Sequence, residues 1–176
     1  MNRRQSASFR GRNIGFIFQD FNLLPVLTVY ENIEYPLLMV QDTPATERKG
    51  RVMTLLDAVG MAEQRDKYPD QISGGQKQRV AVARALVTNP KLVLADEPTA
   101  NLDGENAEVL MHLMRDLRDR HGMTFVFSTH DPRVVAHAVR VVTLVDGRVA
   151  RDEAKPEEAP HPIVPGIGKP PAPTGG

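Results

Sequence analysis

Four short apolar runs, at residues 15–18, 92–95, 124–128 and 141–145, are separated by stretches whose apolar residues recur with helical spacing. Runs of this length with few polar interruptions suit strands buried in a parallel sheet. Val52, Leu55, Leu56 and Val59 fall at i, i+3, i+4 and i+7, one face of a helix. Val109, Leu110, Leu113, Met114 and Leu117 mark a second such face. Alternation of strand and helix predicts an α/β fold with a mostly parallel sheet. Helix starts are signalled by a Thr28–Glu31 capping box, and by Thr43-Pro44 and Asp131-Pro132, each a capping residue before a proline at the first helical position. Asp146-Gly147 predicts a tight hairpin turn between residues 141–145 and 148–150. No strand pattern interrupts residues 28–86, which predicts a helical subdomain there.

Lys+Arg and Asp+Glu are 22 each, so the formal net charge is +0. That balance argues against nucleic-acid binding through bulk electrostatics, and no nucleic-acid partner is expected. The chain has no cysteine. A disulfide scaffold, a thiolate metal site and a thiol nucleophile are thereby excluded. Apolar runs fall far short of the roughly 20 residues of a membrane span, and no apolar segment follows the arginines near the start as a signal peptide requires. Work at a membrane would go through a partner. From residue 154 to 176 stand 7 of the 14 prolines. This composition cannot offset chain entropy and predicts a disordered tail after a domain spanning residues 1–153.

Ligands of open α/β sheets collect at the carboxyl ends of the strands. The first run is followed by Gln19, the second by Asp96-Glu97 and the third by His130. Gln19 or His130 alone reads most simply as the start of a turn. Asp96-Glu97 asks for more, because adjacent carboxylates after a buried strand repel each other unless a cation sits near. A hydrated magnesium ion meets that need, taking few protein carboxylates and the rest of its shell from water and phosphate. One carboxylate would hold the ion while its neighbour polarises an attacking water. Ser73 and Gln76 have capping-box spacing at the head of a helical pattern. Gly74 and Gly75 in that first turn cost roughly 1 kcal/mol each against alanine, and bare amides at a helix N-terminus suit a phosphate.

The stretch from Tyr68 to Gln76, with Ser73-Gly74-Gly75-Gln76 heading its helix, resembles the signature motif of ABC-type ATPases. Leu92 to Thr99 resembles their Walker B strand, Ala100-Asn101-Leu102-Asp103 the D-loop, Ser128-Thr129-His130-Asp131 the switch histidine, and Phe18-Gln19 the Q-loop. Five motifs stand in family order between Ile14 and about Val149. The phrases from Phe18 to Pro25 and from Ala95 to Asp103 are similar to one subgroup, the ATPase subunits of lipoprotein-releasing and macrolide-exporter-type systems. The resemblance implies a P-loop NTPase core of the ABC type with a helical subdomain. It implies ATP and Mg2+ as cofactors, a transmembrane permease and a second ATPase subunit as partners, and a place at the cytoplasmic face of the inner or plasma membrane. It implies that Glu97 is the general base, that His130 contacts the γ-phosphate, and that Asp96 holds magnesium through water. Gln19 would sense the magnesium and the attacking water. Ser73, Gly74, Gly75 and Gln76 would grip nucleotide held mainly by the other subunit, and Asp103 would bridge the interface.

The family also carries a phosphate loop, G-x-x-x-x-G-K-[ST], ahead of the Q-loop. Only 18 residues precede Gln19 and none forms that pattern. Gly168-Lys169 is followed by Pro170, with Ile163 where the first glycine belongs. The expectation is therefore an ABC ATPase domain without its Walker A portion, incomplete at the N-terminus, whose hydrolysis by this chain alone is in doubt. Two other readings compete with the transporter subunit. One is a non-hydrolysing fragment that offers only its signature face to an intact partner. The other is a DNA-maintenance ATPase, in which a long coiled coil separates Q-loop and signature. Gln19 and Ser73 are only 54 residues apart, room for a small helical subdomain.

Overall fold

The computed structural model describes residues 2–40 and 43–155. Its main sheet has three parallel strands, β1 (Ile14–Ile17), β2 (Leu92–Asp96) and β3 (Thr124–Ser128), in the spatial order β1-β2-β3. Register aligns Gly15 with Val93 and Phe125, and Ile17 with Ala95 and Phe127. Helices cover this face, burying Gly15, Ile17, Val93 and Ala95. Phe16, Leu94 and Val126 line up on the opposite face, where Phe16 and Val126 remain 41% and 50% exposed. Burial on both faces, expected from the apolar runs, is thus realised on one face only, because the helices packed on the sheet lie to one side.

Between β1 and β2 the described elements are all helical: α2 (Val29–Val40), α3 (Ala45–Ala58), 3-10 turns at Ala62–Gln64 and Pro69–Gln71, and α4 (Gly74–Leu86). Val29, Ile33 and Leu37 of α2, Val52 and Leu56 of α3, and Val80 and Leu86 of α4 form the core with Ile17 and Val93. Gly15 lets α4 lie close on β1, since a Cβ there would stand 2.3 Å from the Ala85 carbonyl oxygen. β2 leads to α5 (Gly104–His121), which buries Leu110, Met114 and Leu117 and ends at Gly122 in a left-handed cap, φ 63°. α6 (Pro132–His137) follows β3.

Capping chemistry places most helix starts. Thr28 and Glu31 bond reciprocally, and Asp131 accepts the Arg133 amide at the head of α6. Thr43 does not cap α3, which starts at Ala45 after Pro44 with no side-chain cap. The Thr43 carbonyl instead takes Arg48 Nη1 at 2.8 Å. An additional helix, α1 (Arg3–Asn13), precedes β1. It has no apolar stripe to betray it, but Asn2 and Gln5 form a capping box.

Residues 141–145 are not a buried parallel strand. β4 (Arg140–Val145) pairs antiparallel with β5 (Arg148–Ala154) in a separate two-stranded sheet, with Val142, Leu144 and Val145 48%, 65% and 55% exposed. Asp146 and Gly147, at φ 50° and 74°, turn the chain straight back, so β4 takes its sequence neighbour as partner. A bulge between Thr143 and Leu144 shifts the register. β5 continues through Ala154, and the Lys155 amide donates to the Val139 carbonyl at 2.7 Å. The rest of the proline-rich segment, residues 156–176, lies outside the described residues. Among those described, no helix is long and apolar enough to cross a membrane.

Candidate active site

Because β1, β2 and β3 are parallel and adjacent, their carboxyl ends present Gln19, Asp96-Glu97 and Thr129-His130 along one edge. Glu97 turns there with φ 43°, a left-handed conformation costly for a residue with a side chain. Its amide donates to the Ser128 carbonyl at 2.9 Å, which locks the turn to the end of β3. Its carboxylate is held on both oxygens. Oε2 accepts the Thr129 hydroxyl at 3.0 Å; Oε1 accepts the His130 amide at 3.1 Å and lies 2.5 Å from His130 Nδ1. Burial pushes the Glu97 carboxyl up, but the hydrogen bonds from His130 and Thr129 more than offset this and hold it below its ordinary value. The His130 side chain is 89% exposed, that of Glu97 18%.

Asp96, by contrast, is exposed at the end of β2. The two adjacent carboxylates therefore differ: one is engaged by donors, the other open to solvent. Asp96, with the Gln19 amide beyond the neighbouring strand, supplies hard oxygen donors of the kind magnesium takes. Among the described residues, no group of three or more His, Asp or Glu is placed to hold a metal ion. An ion on Asp96 would complete its shell with water and phosphate.

The Gln19 loop is fastened from three sides. Asn101 Nδ2 donates to the Gln19 carbonyl at 2.8 Å. Arg84 of α4 donates to the carbonyls of Asn22 and Phe21 at 2.5 and 2.7 Å, both residues at positive φ. Buried Asn32 accepts the Leu24 amide and donates to the carbonyls of Leu24, Leu27 and Thr28.

Ser73 caps α4. Its Oγ accepts the Gln76 amide at 3.3 Å and its own amide donates to Gln76 Oε1 at 2.9 Å. The amides of Gly74 and Gly75 precede the first intrahelical donor and stay open to a ligand. A Cβ on Gly74 would stand 3.8 Å from the Asn101 carbonyl oxygen, and one on Gly75 3.2 Å from Asn106 Oδ1. The head of α4 thus abuts residues 101–106 of its own chain. Asp103 caps α5, accepting the Asn106 amide at 2.9 Å and Asn106 Nδ2 at 2.7 Å. These bonds, the backbone one foremost, hold the Asp103 carboxyl below its ordinary value.

The structure therefore joins Glu97 to His130 directly and ties the Gln19 loop to the Asn101 loop. No hydrogen bond among the described residues joins Ser73, Gly74, Gly75 or Gln76 to Glu97 or His130. Sequence reasoning assigned no separate role to Thr129, Asn101 or Thr99. Thr99 is buried and donates to Asp131 Oδ2 at 3.0 Å, while Arg133 grips Asp131 at 2.7 Å. Short hydroxyl and amide side chains leave no periodicity or charge signal, so their partners emerge only in three dimensions.

A family model described as ABC transporter matches residues 1–100. The chain is 46% identical over 149 residues to an uncharacterized ABC transporter ATP-binding protein of Thermotoga maritima, covering 85% of this chain and 63% of that protein. It is 43% identical over 149 residues to the lipoprotein-releasing system ATP-binding protein LolD of Bacteroides fragilis, covering 85% and 68%. It is 46% identical over 147 residues to the macrolide export ATP-binding/permease protein MacB of Rhodopirellula baltica, of which it spans only 22%. Among solved structures, a dimeric ATP-binding cassette in a post-hydrolysis state with ADP and Pi matches with a TM-score of 0.77 and 39% identity, covering 88% of this chain and 68% of that one.

Proposed function

The chain belongs to the ABC transporter family, and we propose that it carries the hydrolytic and signature elements of an ATP-binding subunit driving transport through a transmembrane permease. The observation that carries this reading is the Glu97–His130 contact beside open Asp96 at the ends of adjacent parallel strands. Asp96 and Gln19 would hold Mg2+, which supplies charge neutralisation for the phosphates. Glu97 would take a proton from water as the water oxygen bonds to the γ-phosphorus. The bond from that phosphorus to the bridging oxygen breaks, and its electron pair leaves on ADP. His130, exposed at the edge, would turn from Glu97 to the γ-phosphate, leaving Oε1 with the His130 amide as its one donor and a lone pair to act as base.

The open amides of Gly74 and Gly75, with Ser73 and Gln76, would grip nucleotide held by a second ATPase subunit, and Asp103 would lie at that interface. Residues 28–86 would act as a helical subdomain facing the permease, with Gln19 carrying the coupling. The similarity to LolD and MacB favours lipoprotein release or macrolide export at the cytoplasmic face of a membrane. The test is ATP turnover of the transporter assembled with its permease, wild type against His130→Ala. Turnover should fall while Mg-ATP binding persists; unchanged turnover would overturn the reading.

A further inference from the structure

α4 carries a glutamine that none of these roles uses. Gln78 is 0% exposed; its Nε2 donates to the Pro98 carbonyl at 2.8 Å, and its Oε1 has no partner among the described residues. A buried amide oxygen left unpaired is costly, and an apolar side chain of similar volume would fill the space without that cost. Val80, Ala83 and Leu86 already supply apolar packing along α4. Packing therefore gives no reason for an amide at this position.

What the amide secures is one tie, from the first turns of α4 to the residue immediately after Glu97. Glu97 keeps its left-handed conformation only if both flanks are held. The β2 ladder holds the preceding flank through Ala95 and Asp96. On the following flank stands Pro98, which has no N–H to donate. Its carbonyl is its one backbone hydrogen-bonding group, and Gln78 takes it. The Ala100 amide closes the turn on the Glu97 carbonyl at 3.1 Å, and the Leu102 amide bonds the Thr99 carbonyl at 3.0 Å.

We infer that Gln78 is a positioning residue: it fastens the flank of Glu97 to α4, so that movement at the Ser73–Gly75 head of the helix is delivered to the Glu97 carboxylate. The inference rests on the reading of Glu97 as general base. If the signature glycines grip a nucleotide seated in a second subunit, Gln78 links that nucleotide to the base of its own chain.

Gln78→Leu removes both polar atoms and keeps near-native volume; Gln78→Met is a second, more adaptable replacement. In the 176-residue chain, hydrogen exchange at Ala100 and Leu102 should quicken about tenfold in both variants, as local opening of this turn becomes easier. Amides in the body of α4 and the thermal midpoint should hold steady, or the midpoint should rise, because the orphaned oxygen is gone. In the assembled transporter, kcat should fall about tenfold with KM for Mg-ATP unchanged, the mark of an interaction made in the transition state. Unchanged exchange at Ala100 and Leu102 overturns the inference. So does faster exchange with unchanged kcat, or a lowered midpoint with exchange quickened throughout the domain. The exchange arm uses no nucleotide. Wild-type turnover indifferent to Glu97→Gln would overturn the assignment of the base, while exchange still decides whether Gln78 holds the turn.

Discussion

His130 Nδ1 lies 2.5 Å from Glu97 Oε1, and the His130 amide donates to the same oxygen at 3.1 Å. With the Thr129 hydroxyl on Oε2, the carboxylate has no oxygen free of a donor. A base so engaged is weakened, since each bond stabilises the charged form. If Glu97 acts as general base, turning the His130 ring away would relieve Oε1 of one of its two donors, and exposure of the ring leaves it room to do so.

Glu97→Gln retains the shape of the side chain and removes its basicity, while Asp96 is untouched. In the assembled transporter, turnover should fall about 10²–10⁴-fold, the usual worth of a general base, and Mg-ATP binding should persist. Phosphate release and nucleotide retention measured on the same preparation check both halves. Turnover equal to wild type would strip Glu97 of the role.

Gly15→Ala places a methyl 2.3 Å from the Ala85 carbonyl oxygen. Backbone on both sides leaves no flexible side chain to yield, so α4 must move off β1. Overpacking of this kind costs about 1–3 kcal/mol. Denaturant unfolding should show that loss without a change in slope; an undiminished midpoint would contradict the prediction.

Asp131 gives a pH dependence. Side-chain hydrogen bonds from Arg133, with further help from the Arg133 amide and Thr99, hold its carboxyl well below the usual range. A folded-state pKa below the unfolded value of about 3.9 means that the contribution to stability is present above that pH and is lost as pH falls from there toward the folded value. Asp131→Asn keeps an N-cap for α6 but has no charge to lose. Its unfolding midpoint should therefore depend less on pH than that of wild type below about pH 4. Parallel acid limbs for the two proteins would contradict this.

The 176-residue chain offered Mg-ATP alone should bind it weakly and hydrolyse none above background. Asp96 and Glu97 repel a triphosphate. The head of α4 packs against residues 101–106, and no hydrogen bond among the described residues connects Gly74 or Gly75 to Glu97 or His130. Isothermal titration is the measurement. A low-micromolar dissociation constant, about −8 kcal/mol, would show that this surface holds nucleotide without a second subunit.

Three of the four strand runs, the helix faces and most caps, though not Thr43, were legible in the chain because they follow from local chemistry. Residues 92–95 could hardly be other than a buried strand, and Ser73 with Gln76, or Thr28 with Glu31, close a helix end within a few residues of each other. The polar residues after each run, Gln19, Asp96-Glu97 and His130, were likewise readable, because an α/β sheet sends strand ends to one edge. Other features depended on packing. The apolar run at 141–145 looked like a core strand, yet its place was decided by the Asp146-Gly147 turn and a partner of the hairpin's own. Which face of the sheet is covered depends on where α4 settles, not on the strands' composition. Glu97 and His130 are separated by 33 positions, and Gln78 and Pro98 by 20. Such pairs have no local signature, because chain closure over these lengths is driven by burial of the core. The polar contacts are then fixed wherever that core brings the strand ends together.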